Sequence, residues 1–209
     1  MKRWVDIIAA AFGLIVLGPV LAIAAIVIRL AAGSPVIFRQ ERMGKDFRPF
    51  TIYKFRTMIV NAPMMGGSIA SSGDPRITRI GGVLRRCKLD ELPQLVNVLK
   101  GDMSLVGPRP EVPKFVAMFK RDYEEILQVR PGITDLASLK YQHEAKILEQ
   151  YQNPEEEYVR SVLPDKIRLA KAYVRRSSLL LDVTLILKTV FRVVNASASK
   201  ARSNEVADL

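Results

Sequence analysis

The chain has 209 residues, enough for one domain with an appendage. Its formal net charge is +11, yet its mean hydropathy is positive at +0.11. A basic protein that binds nucleic acid is normally more hydrophilic, so this combination argues against nucleic acid and indicates a membrane surface, whose anionic lipids attract Lys and Arg. The single cysteine, Cys87, excludes an internal disulfide and a cysteine-based zinc site.

The first predicted element is an apolar N-terminal helix. Ile7 to Ile28 is a run of 22 residues without a charge, long enough to cross the roughly 30 Å of bilayer hydrocarbon. Pro19 follows Gly18 near its midpoint and predicts a kink. Lys and Arg flank both ends, which the positive-inside rule does not favour for a single crossing. We therefore expect a re-entrant helix broken at Pro19; a kinked spanning helix is the alternative.

Short β-branched and aromatic runs at 35–40 and 50–56 flank Gly44-Lys45-Asp46 and predict a β-hairpin. Most of the chain beyond this hairpin has helical character. The spacing of Leu92, Leu95, Val96 and Leu99 predicts a one-faced helix over 89–99. A proline-rich extended segment, 104–113, precedes predicted helices at 112–127 and 141–151. The predicted fold class is therefore mainly α with a small β-hairpin (α+β), in a monotopic membrane protein.

The C-terminal segment, 163–194, combines basic and apolar residues and is too charged to span a bilayer. A wide apolar arc with basic edges favours an interfacial amphipathic helix, although burial against the domain gives the same pattern. The small polar residues of 196–209 predict a disordered tail. The expected division is a membrane helix at 1–33, a catalytic domain with interfacial helices at 34–195, and the tail at 196–209.

An adjacent acidic pair, Asp90-Glu91, is the strongest functional signal. Five cations precede it without an intervening acid after Asp74: Arg76, Arg79, Arg85, Arg86 and Lys88. This pattern suits a carboxylate that acts on a phosphorylated substrate, because the cations offset the repulsion between the acids and the phosphates. The alternative is a solvated helix start, where the macrodipole favours acidic residues.

Several motifs resemble the bacterial sugar transferase family, the monotopic phosphoglycosyl transferases, and the resemblance covers most of the chain. They are the Pro19-interrupted helix, Tyr53-Lys54-Phe55-Arg56-Thr57-Met58, Gly73-Asp74-Pro75-Arg76-Ile77-Thr78-Arg79-Ile80-Gly81, Leu89-Asp90-Glu91-Leu92-Pro93-Gln94, the segment from Gly101 to Glu111 containing Gly107-Pro108-Arg109-Pro110-Glu111, and Arg130-Pro131-Gly132-Ile133-Thr134. One departure is Gly18-Pro19, where many members have Ser-Pro.

The resemblance implies transfer of a sugar 1-phosphate from a UDP-sugar to undecaprenyl phosphate with release of UMP, the first membrane step of surface-glycan assembly. It assigns Asp90 as the nucleophile that forms a covalent phosphosugar intermediate and Glu91 as its partner acid. The negative charge of the phosphates makes Mg²⁺ the expected cofactor, held by Asp90 and substrate phosphates. The expected location is the cytoplasmic face of the bacterial inner membrane. The sugar is not specified, and a homodimer is left open.

Further substrate-binding candidates lie in the matched motifs: Lys54, Arg56, Arg85, Gln94, Pro108, Arg109, Pro110 and Arg130. The planar guanidinium of Arg suits bidentate phosphate binding, and the prolines suit a stiff wall for uracil or ribose. Two alternatives stay open at this point. One is a non-catalytic, membrane-anchored basic adaptor that binds anionic lipid or nucleic acid. The other is an enzyme that transfers the phosphosugar directly, without a covalent intermediate.

Overall fold

A computed structural model describes residues 1–66, 69, 73–142 and 144–207. The fold is 62% helical, as the sequence predicts, and the described residues form two small sheets. The helices are α1 (Lys2–Ala32), α2 (Arg79–Arg86), α3 (Gln94–Lys100), α4 (Pro113–Met118), α5 (Lys120–Ile126), α6 (Leu136–Lys140), α7 (Glu144–Glu149), α8 (Pro154–Glu157), α9 (Leu163–Arg176) and α10 (Leu179–Ala207). The strands are β1 (Ile37–Met43), β2 (Pro49–Phe55), β3 (Ser104–Val106) and β4 (Gly132–Thr134).

The predicted hairpin is confirmed. Strands β1 and β2 pair antiparallel from Ile37 opposite Phe55 to Met43 opposite Pro49, joined by a 3₁₀ turn at Lys45–Phe47. Asn97 of α3 fastens this hairpin to the rest of the domain. Its side-chain oxygen accepts from the backbone N–H of Tyr53 at 3.0 Å, and its amide donates to the carbonyl of Thr51 at 2.7 Å.

The second sheet was not predicted. Strands β3 and β4 pair in parallel, with Ser104 opposite Gly132 and Val106 opposite Thr134. The two chains approach so closely that a Cβ at Gly132 would lie 2.1 Å from the backbone nitrogen of Gly107. Glycine is therefore required at this crossing for steric reasons. The sheet fixes the start of the proline-rich segment that follows β3.

Both halves of α1 pack against the domain. Ala10 lies in a buried cluster with Leu95 of α3, and Ile28 lies in another with Leu84 of α2. Of the described helices, α1 is the one long and apolar enough to cross a membrane. It is helical throughout, with Pro19 inside it, so the chain does not leave the helical conformation at the predicted break. The re-entrant path and the monotopic topology stay predictions.

The outer face of α1 exposes large apolar side chains. They include Trp4, Ile8, Phe12, Ile15, Ile23 and Leu30. Helix α10 also exposes apolar side chains, namely Leu180, Leu187 and Phe191, while its Leu185 is buried in a cluster with Val106 and Tyr173. Burial of α10 against the domain is therefore confirmed for one of its faces. The interfacial location of the exposed face stays a prediction.

Helix α10 extends to Ala207, so its backbone includes most of the segment for which the sequence predicts a disordered tail. Residues 208 and 209 lie outside the described residues. The division of the chain into segments at 33 and 195 stays a prediction.

Candidate active site

The acidic pair lies in a tight turn between two helices. Helix α2 ends at Arg86, and Lys88 adopts a left-handed conformation with φ 57°. Leu89–Glu91 then form a 3₁₀ turn, and α3 begins only at Gln94, after Pro93. The single helix predicted from Leu89 is therefore wrong at its start. The left-handed conformation of Lys88 prevents α2 from continuing into the turn. Pro93, which has no N–H to donate, is the N-cap residue of α3.

Asp90 is buried and incompletely hydrogen-bonded. Its exposed fraction is 9%, and its Oδ1 has no hydrogen-bond partner among the described residues. Burial raises the pKa of Asp90, and the neighbouring Glu91 raises it further, against the opposing effect of Lys54, Lys88 and Arg85. A buried carboxylate oxygen without a donor is costly to the fold, which is characteristic of a group held for chemistry or for a ligand.

Glu91 has the opposite environment. It accepts from Lys54 Nζ at 3.0 Å and from Arg109, whose Nη1 lies 3.3 Å away and whose Nη2 forms a second, shorter bond. Burial alone would raise the pKa of Glu91, but Arg109 and Lys54 together hold it well below its usual range. Burial lowers the pKa of Lys54, although Glu91 counteracts this. Glu91 is therefore ionised and fully engaged, whereas Asp90 keeps a free oxygen.

The segment that carries Arg109 is pinned by residues that the sequence analysis did not single out. Glu111 accepts from Arg42 at 3.0 Å and from the hydroxyl of Tyr158 at 2.5 Å. Arg42 also donates to the carbonyl of Pro110 at 3.1 Å, and the backbone N–H of Arg109 donates to Asp135 at 3.3 Å. The position of Glu111 at the end of the proline-rich motif was the one sequence signal that could have pointed to these contacts.

Arg85 and Gln94 border the acidic turn on either side. Arg85 lies in the last turn of α2, donates from Nε to the hydroxyl of Thr57 at 2.8 Å, and interacts electrostatically with Asp90. The left-handed conformation of Lys88 separates Arg85 on α2 from the turn that carries Asp90, so the two residues do not share a continuous helix. Gln94 is 1% exposed, and its Nε2 has no hydrogen-bond partner among the described residues.

The structure does not bring every predicted substrate-binding residue to this turn. The guanidinium of Arg56 donates to the carbonyls of Ala32, Gly33 and Ser34, where it caps the end of α1. The Nε of Arg130 donates to the carbonyl of Gly101 at 2.9 Å, beyond the end of α3.

The two prolines of the proline-rich segment contribute backbone contacts. The carbonyl of Pro108 accepts from the backbone N–H of Gly132 at 3.0 Å, and the carbonyl of Pro110 accepts from Arg42. These contacts hold Arg109 between two fixed residues. The predicted role of the prolines as a wall for uracil or ribose stays a prediction.

The donor set at the turn is compatible with Mg²⁺. Within the described residues, no group of three or more His, Cys, Asp or Glu side chains could enclose a metal ion. Mg²⁺ commonly uses one or two carboxylates together with substrate phosphates and water. Asp90 offers one carboxylate oxygen without a partner, whereas Glu91 is occupied by two cations. The residues therefore fit an ion held jointly by Asp90 and a substrate.

Nearly the whole chain matches a known family at the level of sequence. A sequence model described as bacterial sugar transferase matches residues 1–196, which contain every element of this site. The chain belongs to the bacterial sugar transferase family. The resemblance drawn from the motifs is thereby confirmed.

Similar bacterial sugar transferases have names that specify their reactions. The chain is 38% identical over 96% of its length to an Aeromonas hydrophila protein named UDP-N-acetylgalactosamine-undecaprenyl-phosphate N-acetylgalactosaminephosphotransferase. It is 36% identical over 95% of its length to an Escherichia coli protein, and 43% identical over 66% to a Caulobacter vibrioides protein, both named UDP-glucose:undecaprenyl-phosphate glucose-1-phosphate transferase. The chain spans 45%, 41% and 53% of these three relatives, respectively.

Proposed function

We propose that this bacterial sugar transferase moves a sugar 1-phosphate from a UDP-sugar to undecaprenyl phosphate, releasing UMP, and so initiates assembly of a surface glycan. One observation carries the proposal. The buried Asp90 keeps an unpartnered oxygen, while the adjacent Glu91 is neutralised by Lys54 and Arg109. The names of the relatives support the class of donor and acceptor.

In the first step, cations of the site bind the diphosphate of the donor. Arg109 and Lys54 present N–H groups held in place by Glu91, and Arg85 adds positive charge toward Asp90. An oxygen of Asp90 bonds to the phosphorus that carries the sugar. The bond from this phosphorus to the oxygen bridging it to UMP breaks, and UMP leaves with the electron pair. Covalent catalysis of this kind divides one difficult transfer into two easier ones.

In the second step, a phosphate oxygen of undecaprenyl phosphate bonds to the same phosphorus. The bond between this phosphorus and Asp90 breaks, and Asp90 becomes a free carboxylate again. Because the phosphate of the acceptor is already ionised, no proton needs to be removed from it. The low pKa of Glu91 makes it a weak base, which favours a positioning role over proton transfer. Gln94, whose Nε2 is buried and free, is suited to donate to a phosphoryl oxygen in both steps.

Mg²⁺, held by Asp90 and substrate phosphates, would neutralise negative charge as the bond to the leaving phosphate breaks. The protein residues supply the remaining charge. Lys54 Nζ and Arg109 Nη1 lie 3.0 and 3.3 Å from the carboxylate oxygens of Glu91. Both cations are therefore fixed before the donor arrives, and little reorganisation free energy is needed during the reaction.

The proposal includes a monotopic arrangement on the cytoplasmic face of the inner membrane, with α1 entering and leaving the same leaflet. Two contacts at the ends of α1 support it. Lys2 near the N-terminus donates to the carbonyl of Val106 at 2.8 Å, and the carbonyl of Ala32 accepts from Arg56 at 2.5 Å. A helix that crossed the bilayer would carry one of these ends about 30 Å away from the domain.

A donor panel tests the reaction. Detergent-solubilised protein is incubated with undecaprenyl phosphate, Mg²⁺ and one UDP-sugar at a time, and UMP is quantified. We expect UMP release with at least one donor and a preference among UDP-glucose, UDP-galactose and their N-acetyl forms. An adaptor that only binds anionic lipid would release no UMP with any donor, and that result would refute the proposed activity.

A further inference from the structure

A cationic cleft lies between the starts of the two apolar helices, α1 and α10. Lys2 and Arg3 line it from α1, Ser177 lines it just before α10, and Lys45 and Arg130 line it from two connecting segments. None of Asp90, Glu91 and Lys54 is among its lining residues. The cleft is therefore a different place in the molecule from the proposed active site.

Three cations of the cleft have no carboxylate partner among the described residues. Arg3 donates to the carbonyls of Val98 and Leu99 at 2.7 and 3.1 Å, and Arg130 donates to the carbonyl of Gly101. These partners fix both guanidiniums at the end of α3 but are neutral. Within the part of the chain that the structure describes, neither arginine nor Lys45 forms an ion pair.

The acids near the cleft are already engaged. Asp6 accepts from the hydroxyl of Ser104 at 2.8 Å and from the backbone N–H of Leu105 at 3.1 Å. Asp182 pairs with Lys2 at 2.5 Å. The lining of the cleft contains four cations and one acid, Asp6. With Asp182 counted as the partner of Lys2, a surplus of two positive charges remains. Such a surplus on fixed guanidiniums attracts a phosphate group, for which Arg provides matching geometry.

The cleft lies where the polar domain meets the apolar surface. Trp4 follows Arg3 and is 70% exposed, and Leu180 lies three residues after Ser177 and is 79% exposed. Exposed tryptophan is typical of the headgroup region of a bilayer. Apolar side chains of both helices therefore lie close in sequence to residues that line the cleft.

We propose that this cleft binds the phosphate of an anionic membrane lipid, such as phosphatidylglycerol. The bound lipid would bridge α1 and α10 beside the Lys2–Asp182 ion pair and hold the domain at a fixed depth. A lipid with a zwitterionic headgroup would bind the cleft more weakly, because its ammonium group is repelled by the same surplus of positive charge. The proposal concerns binding and does not depend on the proposed transfer reaction.

Trp4 is the only tryptophan in the chain and reports on the cleft. The full-length protein is placed in phosphatidylcholine nanodiscs containing a small fraction of phosphatidylglycerol brominated near the top of its acyl chains, and quenching of Trp4 fluorescence is measured. The comparison uses the same fraction of brominated phosphatidylcholine. We expect stronger quenching by the anionic lipid, because it concentrates beside Trp4. Equal quenching by both lipids would overturn the proposal.

Substitutions in the cleft test the source of the preference. Lys45→Gln combined with Arg130→Gln should lower the preference for the anionic lipid about twenty-five-fold, since each cation near a membrane surface contributes about fivefold. Lys120→Gln combined with Arg121→Gln removes the same charge from exposed residues outside the cleft and should retain the preference. Loss of the preference in both double variants would contradict a specific site.

Inorganic phosphate distinguishes a lipid from a free anion. Millimolar phosphate should leave the quenching unchanged, because the lipid is retained by its chains as well as its headgroup. Displacement of the lipid by millimolar phosphate would show a site for free phosphate and overturn the assignment to lipid. These measurements need no turnover, so their failure leaves the transfer proposal intact, and failure of the transfer proposal leaves them valid.

Discussion

Asp90 and Glu91 are neighbours in sequence but occupy opposite electrostatic environments. Glu91 is enclosed by Lys54 and Arg109, whereas Asp90 is buried with a free oxygen. The sequence predicts that both acids and the cations Lys54, Arg85 and Arg109 belong to one site, and the structure places them together. The sequence could not predict that Arg56 and Arg130 face elsewhere, because a linear motif does not show which side of a turn a side chain occupies.

The environment of Asp90 predicts the pH dependence of the reaction. Burial, and then Glu91, raise the pKa of Asp90 above its ordinary range, and Asp90 must be ionised to attack phosphorus. We expect kcat/KM for the donor to fall as the pH decreases through a value above that of an ordinary aspartate. Initial rates of UMP release across the acid range measure this, with circular dichroism as a control for unfolding. An acid limb at the ordinary aspartate value would contradict this environment.

The two acids should also affect stability in opposite directions. A carboxyl whose pKa is raised by folding lowers the stability of the folded state as the pH rises above its unfolded-state pKa, and the loss is complete above the folded-state pKa. Asp90→Asn should therefore raise the thermal midpoint at neutral pH while abolishing turnover. Glu91→Gln leaves Lys54 and Arg109 without their partner and should cost about 3–5 kcal/mol. Thermal unfolding of both variants tests this, and equal destabilisation by the two would contradict the contrast.

At the scale of elements, the hairpin and the helical character were predictable because each depends on local sequence. The start of α3 was not, since the apolar spacing of 89–99 continues through the turn that Lys88 and Pro93 impose. The parallel pairing of β3 with β4 was also missed. Each strand has three residues, too few for a periodic signal, and the partners are distant in sequence.

Asn97 joins the hairpin to α3 and predicts a stability effect. It is fully buried and serves both the N–H of Tyr53 and the carbonyl of Thr51. Asn97→Ala leaves these buried backbone groups unpaired and should reduce the free energy of unfolding by about 3 kcal/mol. Asn61→Ala removes the same side chain at an exposed position and should change it by less than ~0.5 kcal/mol. Equal effects in urea denaturation would show that Asn97 has no such role.

At the scale of the whole molecule, α1 and α10 both expose large apolar side chains. The sequence predicts apolar helices at both ends of the chain, because composition alone identifies them. It could not predict that the Lys2–Asp182 ion pair joins them, since this contact connects distant residues. Exposed apolar faces of this kind suggest a membrane protein.

The arrangement of α1 predicts its topology. If it is re-entrant, an epitope tag ahead of Met1 lies on the same side as the catalytic domain. Protease should then remove the tag from inverted membrane vesicles and leave it intact on spheroplasts. Pro19→Leu restores a backbone donor and should move part of the population to a spanning arrangement. Cleavage of the wild-type tag on spheroplasts would instead show that α1 spans the membrane.

The most direct test of the account is the intact mass of the protein after exposure to the donor alone. Wild-type protein is mixed with a UDP-sugar and Mg²⁺ without undecaprenyl phosphate and is quenched rapidly in acid. We expect a mass increase equal to one sugar phosphate, located on the peptide that contains Asp90 and absent from Asp90→Asn. Full turnover in the complete reaction, with no adduct on the wild-type protein under these conditions, would contradict Asp90 as the nucleophile.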